Sequence, residues 1–266
     1  MRQVYRLALI LLLISACAST QGQELEPVGR LTMYDVPPRW LVDVPTAGTL
    51  PRAHYNIGVR IFPNGGGLGY TDIGLSSRFT LGISYGGENI VSNTDPNWNN
   101  RIGFSLKFRL IDELEYFPAI TVGFSDQGFG AWLDDHDRYT FKSRGFYGVA
   151  SRSFYFYKWT AGWHIGINRS LEDNVDGDND LNVFGGFDAT FNYNLALVFE
   201  YDAALNDDRN MPAAVTGKGR GYLNTSVKWL FAENLELELV FKDLLINRRE
   251  SDMFSREVRM TYIDHF

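Results

Sequence analysis

From Ala53 to the last residue, Phe266, apolar residues alternate with small or polar ones in segment after segment. In Arg101–Leu110, the side chains of Ile102, Phe104, Leu106, Phe108 and Leu110 share one face. Arg101, Gly103, Ser105, Lys107 and Arg109 share the other. Trp159, Ala161, Trp163, Ile165 and Ile167 repeat the pattern against Thr160, Gly162, His164, Gly166 and Asn168. A period of two is the period of a β-strand with unlike environments on its two faces. A half-buried soluble sheet alternates in the same way, so periodicity alone does not place the strands in a membrane.

The order of the connections supplies the missing constraint. Strands are expected near 53–62, 67–76, 78–86, 100–110, 117–126, 144–155, 158–168, 181–191, 193–202, 219–231, 233–243 and 256–264. Short turns near Ser76-Ser77, Asp112-Glu113, Tyr157, Asn192 and Ala232–Asn234 alternate with long polar stretches at 87–99, 127–143, 169–180, 203–218 and 244–255. Short-long order collects the turns at one end, as in outer-membrane barrels with periplasmic turns and extracellular loops. Phe79, Tyr116, Phe117, Phe156, Tyr157, Trp159, Phe191, Tyr193, Trp229 and Phe231 gather at the turn end, where amphipathic rings favour a membrane interface. The expected fold is all-β, an antiparallel up-and-down transmembrane β-barrel of about twelve strands over residues 53–266.

The N-terminus reads as an export signal over residues 1–17, with Arg2 and Arg6 before the apolar stretch Leu7–Ile14. Ala16-Cys17-Ala18 fits ordinary signal-peptidase cleavage, whereas Ile14-Ser15-Ala16-Cys17 resembles a lipobox that would leave Cys17 as a lipidated first residue. Cys17 is the only cysteine, so the mature chain has no disulfide, redox pair or thiolate metal site. Residues 18–52, with prolines at 27, 37, 38, 45 and 51, read as a periplasmic lead-in or plug. Mean hydropathy is only −0.19, and no internal run suits a transmembrane helix. A net charge of −7 argues against a nucleic-acid partner.

The segments PTAGTLPRAHYNIGVRIF, SSRFTLGISYGGENI, GFSLKFRLIDELEYFPAITVGFSDQGFG and RGFYGVASRSFYFYKWTAGWHIGINRSLED carry a further likeness. With Leu106–Leu110 running through Tyr116-Phe117-Pro118-Ala119 to Gly123, they resemble the YjbH-like family of exopolysaccharide-associated outer-membrane β-barrels. That resemblance implies an outer-membrane location and a non-enzymatic accessory role in exopolysaccharide secretion or cell-surface assembly. It brings no catalytic residues, and this chain is shorter than the exopolysaccharide-linked members. A small diffusion channel for sugar-like or anionic solutes is the alternative. Expected partners are outer-membrane lipids and lipopolysaccharide, the barrel assembly machinery, which the C-terminal Val258-Met260-Tyr262-Phe266 pattern resembles a signal for, and polysaccharide export components.

Few residues suggest chemistry. Lys107, Arg109, Arg152, His164, Asp188, Glu200, Asp202, Arg220, Lys228, Glu236, Glu238 and Lys242 are expected to face the lumen, and their mixed signs suggest pairing and a largely plugged interior. A selective pore carries one sign at its constriction. Asp176, Asp178 and Asp180 have alternate oxygen ligands like part of a calcium loop, but lack the closing Glu, so a solvated acidic loop is the expectation. No nucleophile–base pair is visible: His164 is followed two residues on by Gly166 and His54 by Asn56, and His136 sits in an acidic loop. No cofactor is expected.

Overall fold

The computed structural model describes residues 38–156, 159–174, 176–191, 194–208, 216–249 and 251–266. The signal segment with Cys17, the first part of the 18–52 stretch, and the expected turn residues Tyr157 and Asn192 lie outside the described residues.

Twelve antiparallel strands close into a barrel. They are β1 (His54–Phe62), β2 (Gly66–Ser76), β3 (Phe79–Glu88), β5 (Gly103–Ile111), β6 (Ala119–Ser125), β9 (Gly145–Phe156), β10 (Trp159–Arg169), β11 (Asn182–Phe191), β12 (Leu195–Asp202), β13 (Tyr222–Ala232), β14 (Leu235–Lys242) and β15 (Ser255–His265). Each pairs with its sequence neighbour in the barrel, and β1 closes the ring against β15. Among the described residues, three short strands lie in the loops: β4 (Asn97–Trp98) on β3, and β7 (Phe129–Leu133) with β8 (Arg138–Phe141) as a separate hairpin. The turns and loops sort to opposite ends, with the tight Pro63–Gly65 turn as the short connection at the loop end.

Burial runs opposite to that of a soluble barrel. Outward positions carry Ile57, Phe146, Trp163, Ile165 and Leu239, each more than half exposed. Inward positions carry Lys107, Thr121, Asp188, Glu200, Glu238 and Lys242, all buried. Closure leaves no strand edge with unpaired backbone, which is what hydrocarbon demands of a sheet. An apolar outer band around a polar interior makes this a transmembrane barrel of the bacterial outer membrane. At the turn end Phe156 stacks on Trp159 with centroids 3.9 Å apart, and Tyr116 is 88% exposed, forming part of an aromatic girdle.

The outer band makes a direct prediction. Ile165→Arg, in mid-strand on β10, should destabilise the barrel by about 2–4 kcal/mol, the cost of a cation near the bilayer midplane. Leu171→Arg replaces a half-exposed apolar residue in a loop and should cost almost nothing. Denaturant unfolding in lipid bilayers measures both; equal effects would remove Ile165 from the lipid face.

Candidate functional site: a plugged lumen

The polar interior is not empty. Pro38–Arg52 enters from the turn end, reverses near Asp43 and returns to β1. The reversal is closed by the Leu41 N–H donating to the Val44 carbonyl (3.0 Å) and the Thr46 N–H donating to the Arg39 carbonyl (3.1 Å). Leu41, Val42, Val44, Ala47 and Leu50 are each no more than 1% exposed. A buried irregular segment must find partners for its backbone groups, and here nine of the twelve strands bond to it, most of them at those backbone groups and β14 through Lys242 at the Asp43 carboxylate.

Glu200 on β12 provides the densest anchor. Its Oε2 accepts the backbone N–H groups of Val42, Asp43 and Val44 at 2.8, 2.6 and 2.8 Å, and its Oε1 accepts Asn224 Nδ2 at 2.8 Å. Arg259 on β15 donates to the Val42 carbonyl at 2.7 Å. Lower down, Arg109 and Thr121 both donate to the Ala47 carbonyl, and the Leu50 N–H donates to Thr80 Oγ1. Lys107 reaches the carbonyls of Arg39, Thr46 and Gly48, and Lys228 reaches that of Trp40.

At the tip, Asp43 is the centre of an ion cluster. Arg60 on β1 lies 2.8 Å from Asp43 and 2.8 Å from Glu257, Lys242 lies 2.5 Å from Asp43 and 3.1 Å from Glu257, and Arg259 contacts both carboxylates. Buried charges persist only when paired and hydrogen-bonded, and with Glu238, 3.5 Å from Arg259, the cluster sets three cations against three carboxylates. The β7–β8 hairpin folds down over it. Lys242 Nζ sits 4.0 Å from the Phe141 ring centroid, and the Arg60 guanidinium 4.0 Å from that of Phe129. Aromatic faces over cations supply part of the field that water would otherwise give.

The loops lock that hairpin in place. Arg138, 1% exposed, bonds Asp207 at 2.6 Å and Asp176 at 3.1 Å, and Lys142 lies 2.6 Å from Asp176. Glu172 accepts the N–H groups of Tyr139 and Ser143. Burial raises the Glu172 carboxyl above its usual range against the pull of those hydrogen bonds. Burial likewise raises Asp207, with Arg138 opposing it. Burial, with the Glu172 charge adding to it, pushes the Tyr139 phenol up to about 12. The neighbouring carboxylates hold Arg138 above its ordinary value despite its burial.

Four expectations need correction. Arg152 does not face the lumen. It shares the outward face of Phe146 and Phe154, and its guanidinium reaches the Leu114 and Glu115 carbonyls in the 112–118 turn. A long side chain near a strand end can place its charge at the interface in this way. Arg220 is exposed in the loop, because Gly219 and Gly221 take positive φ and β13 starts only at Tyr222. The Asp176–Asp180 stretch is not a solvated acidic loop: Asp176 and Asp178 are buried, Asp176 is neutralised by two cations, and Asp180 is exposed. No group of three metal-ligating side chains occurs among the described residues. The other expected lumen residues face inward, with Glu236 lining the cavity described below.

His164 does have a nucleophile-type neighbour, the point at which the reading from spacing along one strand falls short. Its Nδ1 lies 2.8 Å from Ser151 Oγ and its Nε2 lies 2.8 Å from Asp188 Oδ1. The chain of bonds ends on the plug, since Ser151 Oγ accepts the Ala47 N–H at 2.8 Å. Acyl chemistry needs free donors where an oxyanion would form, and the Ala47 N–H is committed to Ser151. The arrangement therefore positions the plug. The missed signal was the hairpin register: Ser151 and His164 are direct cross-strand partners on β9 and β10.

Beside the hairpin, a cavity of about 750 Å³ remains. It reaches the turn end at Asp112, Glu113, Asn194 and Leu230, and runs up to Gln127 and Phe129 beneath the loop hairpin.

Fold and lumen together define a plugged outer-membrane β-barrel. No protein-family model matches the chain, and no curated protein matches it. Among solved structures it is similar in outline to the KdgM porin, at 10% identity over 79% of this chain and 98% of that one, with a TM-score of 0.46. The NanC porin is similar at 6% identity over 80% and 99% of the two chains, with a TM-score of 0.43. An outer membrane channel from Pseudomonas putida F1 is similar at 12% identity over 82% and 97%, with a TM-score of 0.42.

Proposed function

We propose that this chain is a non-enzymatic, closed outer-membrane barrel that serves as an accessory in exopolysaccharide secretion or cell-surface assembly. The observation that carries the closed state is the 38–52 hairpin, bound to nine strands and covered by the β7–β8 hairpin. An open conduit needs a continuous wet path, and mixed-sign pairs fill the upper lumen instead. The polysaccharide role is what the resemblance to the YjbH-like family implies. Planar-bilayer recordings of the purified protein should be silent at high protein loading, and a strain lacking the gene should release less extracellular polysaccharide. Stable single-channel steps would refute closure; unchanged polysaccharide would refute the accessory role.

A second reading, a diffusion channel for sugar-like solutes, draws on the cavity alongside the hairpin, which extends from the turn end to Phe129. In that reading the hairpin moves aside to complete the path, and stable steps in the same recordings favour it.

A further inference from the structure

We propose that the outward wall at the loop end, over β12–β15, binds the phosphorylated headgroup of an outer-leaflet glycolipid, the lipid A anchor of lipopolysaccharide. The inference rests on the outer-membrane barrel alone and not on the accessory role. The loops at 216–221 and 243–254 carry Lys218, Arg220, Arg248 and Arg249, and Arg256 heads the outward row of β15. All but Arg248 are exposed. Among the described residues, none of these cations forms an ion pair with a carboxylate. Asp243 is buried and accepts the backbone N–H groups of Asn247 and Arg248, Asp252 is exposed, and Glu250 lies outside the described residues. The β7–β8 hairpin has the opposite balance: Asp134, Asp135 and Asp137 are exposed, while Arg138 and Lys142 are buried in ion pairs. Unpaired positive charge is thus gathered on one arc of the barrel.

These cations are held in place by the fold. Lys218, Arg220 and Arg249 each donate to a backbone carbonyl of the facing loop, those of Ile246, Leu245 and Gly217, at 3.1, 3.2 and 3.1 Å. Asn247 Oδ1 accepts the Lys218 and Arg220 N–H groups. Ordered cations lose less freedom on binding, and a guanidinium keeps further donors for a phosphate. The arc also continues into the lipid band. Arg256 stands directly across from Phe241, its guanidinium is 5.0 Å from the Phe254 ring centroid, and exposed Val258 and Met260 follow it in the outward row. Tyr201, outward on β12, donates its hydroxyl to the Arg220 carbonyl at 3.0 Å, and Leu244 and Leu245 are exposed between the two arginines in chain order. A cation on the lipid face costs little only near the interface, and in such barrels the loop end faces the outer leaflet. A soluble polyanion has no apolar part to set against these side chains. An acylated phosphoglycolipid brings phosphate to the arginines and hydrocarbon to the band beneath them.

Native mass spectrometry of the full-length protein in detergent micelles tests this with bisphosphoryl lipid A, monophosphoryl lipid A and phosphatidylethanolamine. Bisphosphoryl lipid A should bind about tenfold more tightly than phosphatidylethanolamine, with the monophosphoryl form between them. Hexagalacturonate, a polyanion without acyl chains, should not displace it. Arg220→Gln combined with Arg256→Gln should weaken bisphosphoryl lipid A by about tenfold. Arg169→Gln, which removes the outward cation at the loop end of β10, should leave binding almost unchanged. Heat-modifiable gel migration establishes that each variant is folded. Hydrogen exchange on the wild-type protein needs no variant: lipid A should slow the amides of 216–221 and 244–249 and leave those of 89–96 as they were. Equal affinity for phosphatidylethanolamine, or displacement by hexagalacturonate, would overturn recognition of a phosphoglycolipid. Unchanged binding by the double variant, or equal protection of all the loops, would overturn its place on this arc.

Discussion

Removing residues 38–50 should convert a silent barrel into a conducting one. The deletion touches no strand, so the closed ladder from β1 round to β15 stays intact. Arg60, Lys242 and Arg259 lose Asp43 but keep Glu257, so the cations at the tip are not left without a counter-charge. Small barrels of about eight strands are filled by their own side chains, whereas those of sixteen or more hold a water channel. Twelve strands fall between, and here much of the filling is the hairpin. Freed of it, Lys107, Arg109 and Lys228 lose the carbonyls they now reach and turn to water. Single-channel recording of the deletion variant against the intact protein measures the result. Continued silence would mean that the β7–β8 hairpin closes the lumen unaided, and would shift the closure from the plug to the loops.

Glu200→Ala should release the tip of the hairpin without unfolding the barrel. One carboxylate oxygen accepts three successive backbone N–H groups. Its loss orphans three buried donors, and hydrogen bonds to a charged group contribute about 1.5–3 kcal/mol each. Because the three share one oxygen and the tip can relax, a total of about 3–5 kcal/mol is expected, similar to breaking a buried ion pair. Hydrogen exchange at Val42, Asp43 and Val44 should accelerate by several hundredfold or more, while the β12 and β13 amides stay protected. Glu200→Gln keeps an acceptor oxygen and should fall between the two. Uniform acceleration across the strands would show that Glu200 supports the barrel and not the hairpin.

Alternation and loop order made the twelve strands legible, because each position along a spanning strand must answer to lipid or to lumen. Arg101–Leu110 announces β5 in that way, and Leu235–Phe241 announces β14. The plug was harder to read. Residues 38–52 have no period, and their partners lie far along the chain: Val42 meets Glu200 across 158 residues. A tight turn near Tyr157 does count Ser151 across from His164, so that pair could have been read by carrying the register outward from the turn. Arg152 and Arg220 depart from the lumen expectation because charge alone does not mark a lumen position. Near a strand end a long cation can satisfy itself at the interface or in a loop.

The ion cluster also bears on how the barrel finds its seam. The first and last strands meet last in chain order, with Arg60 directly opposite Arg259. Two guanidinium groups facing each other would repel were Asp43 and Glu257 not set between them. Sliding β1 by one residue against β15 would swing its polar residues toward lipid and its Ile and Val side chains into the cluster. The hairpin precedes β1 in the chain, yet its Asp43 reaches Arg60 on the first strand and Arg259 on the last. Asp43 thus adds an electrostatic term to the choice of register, since only the native pairing brings Arg60 and Arg259 together within its reach.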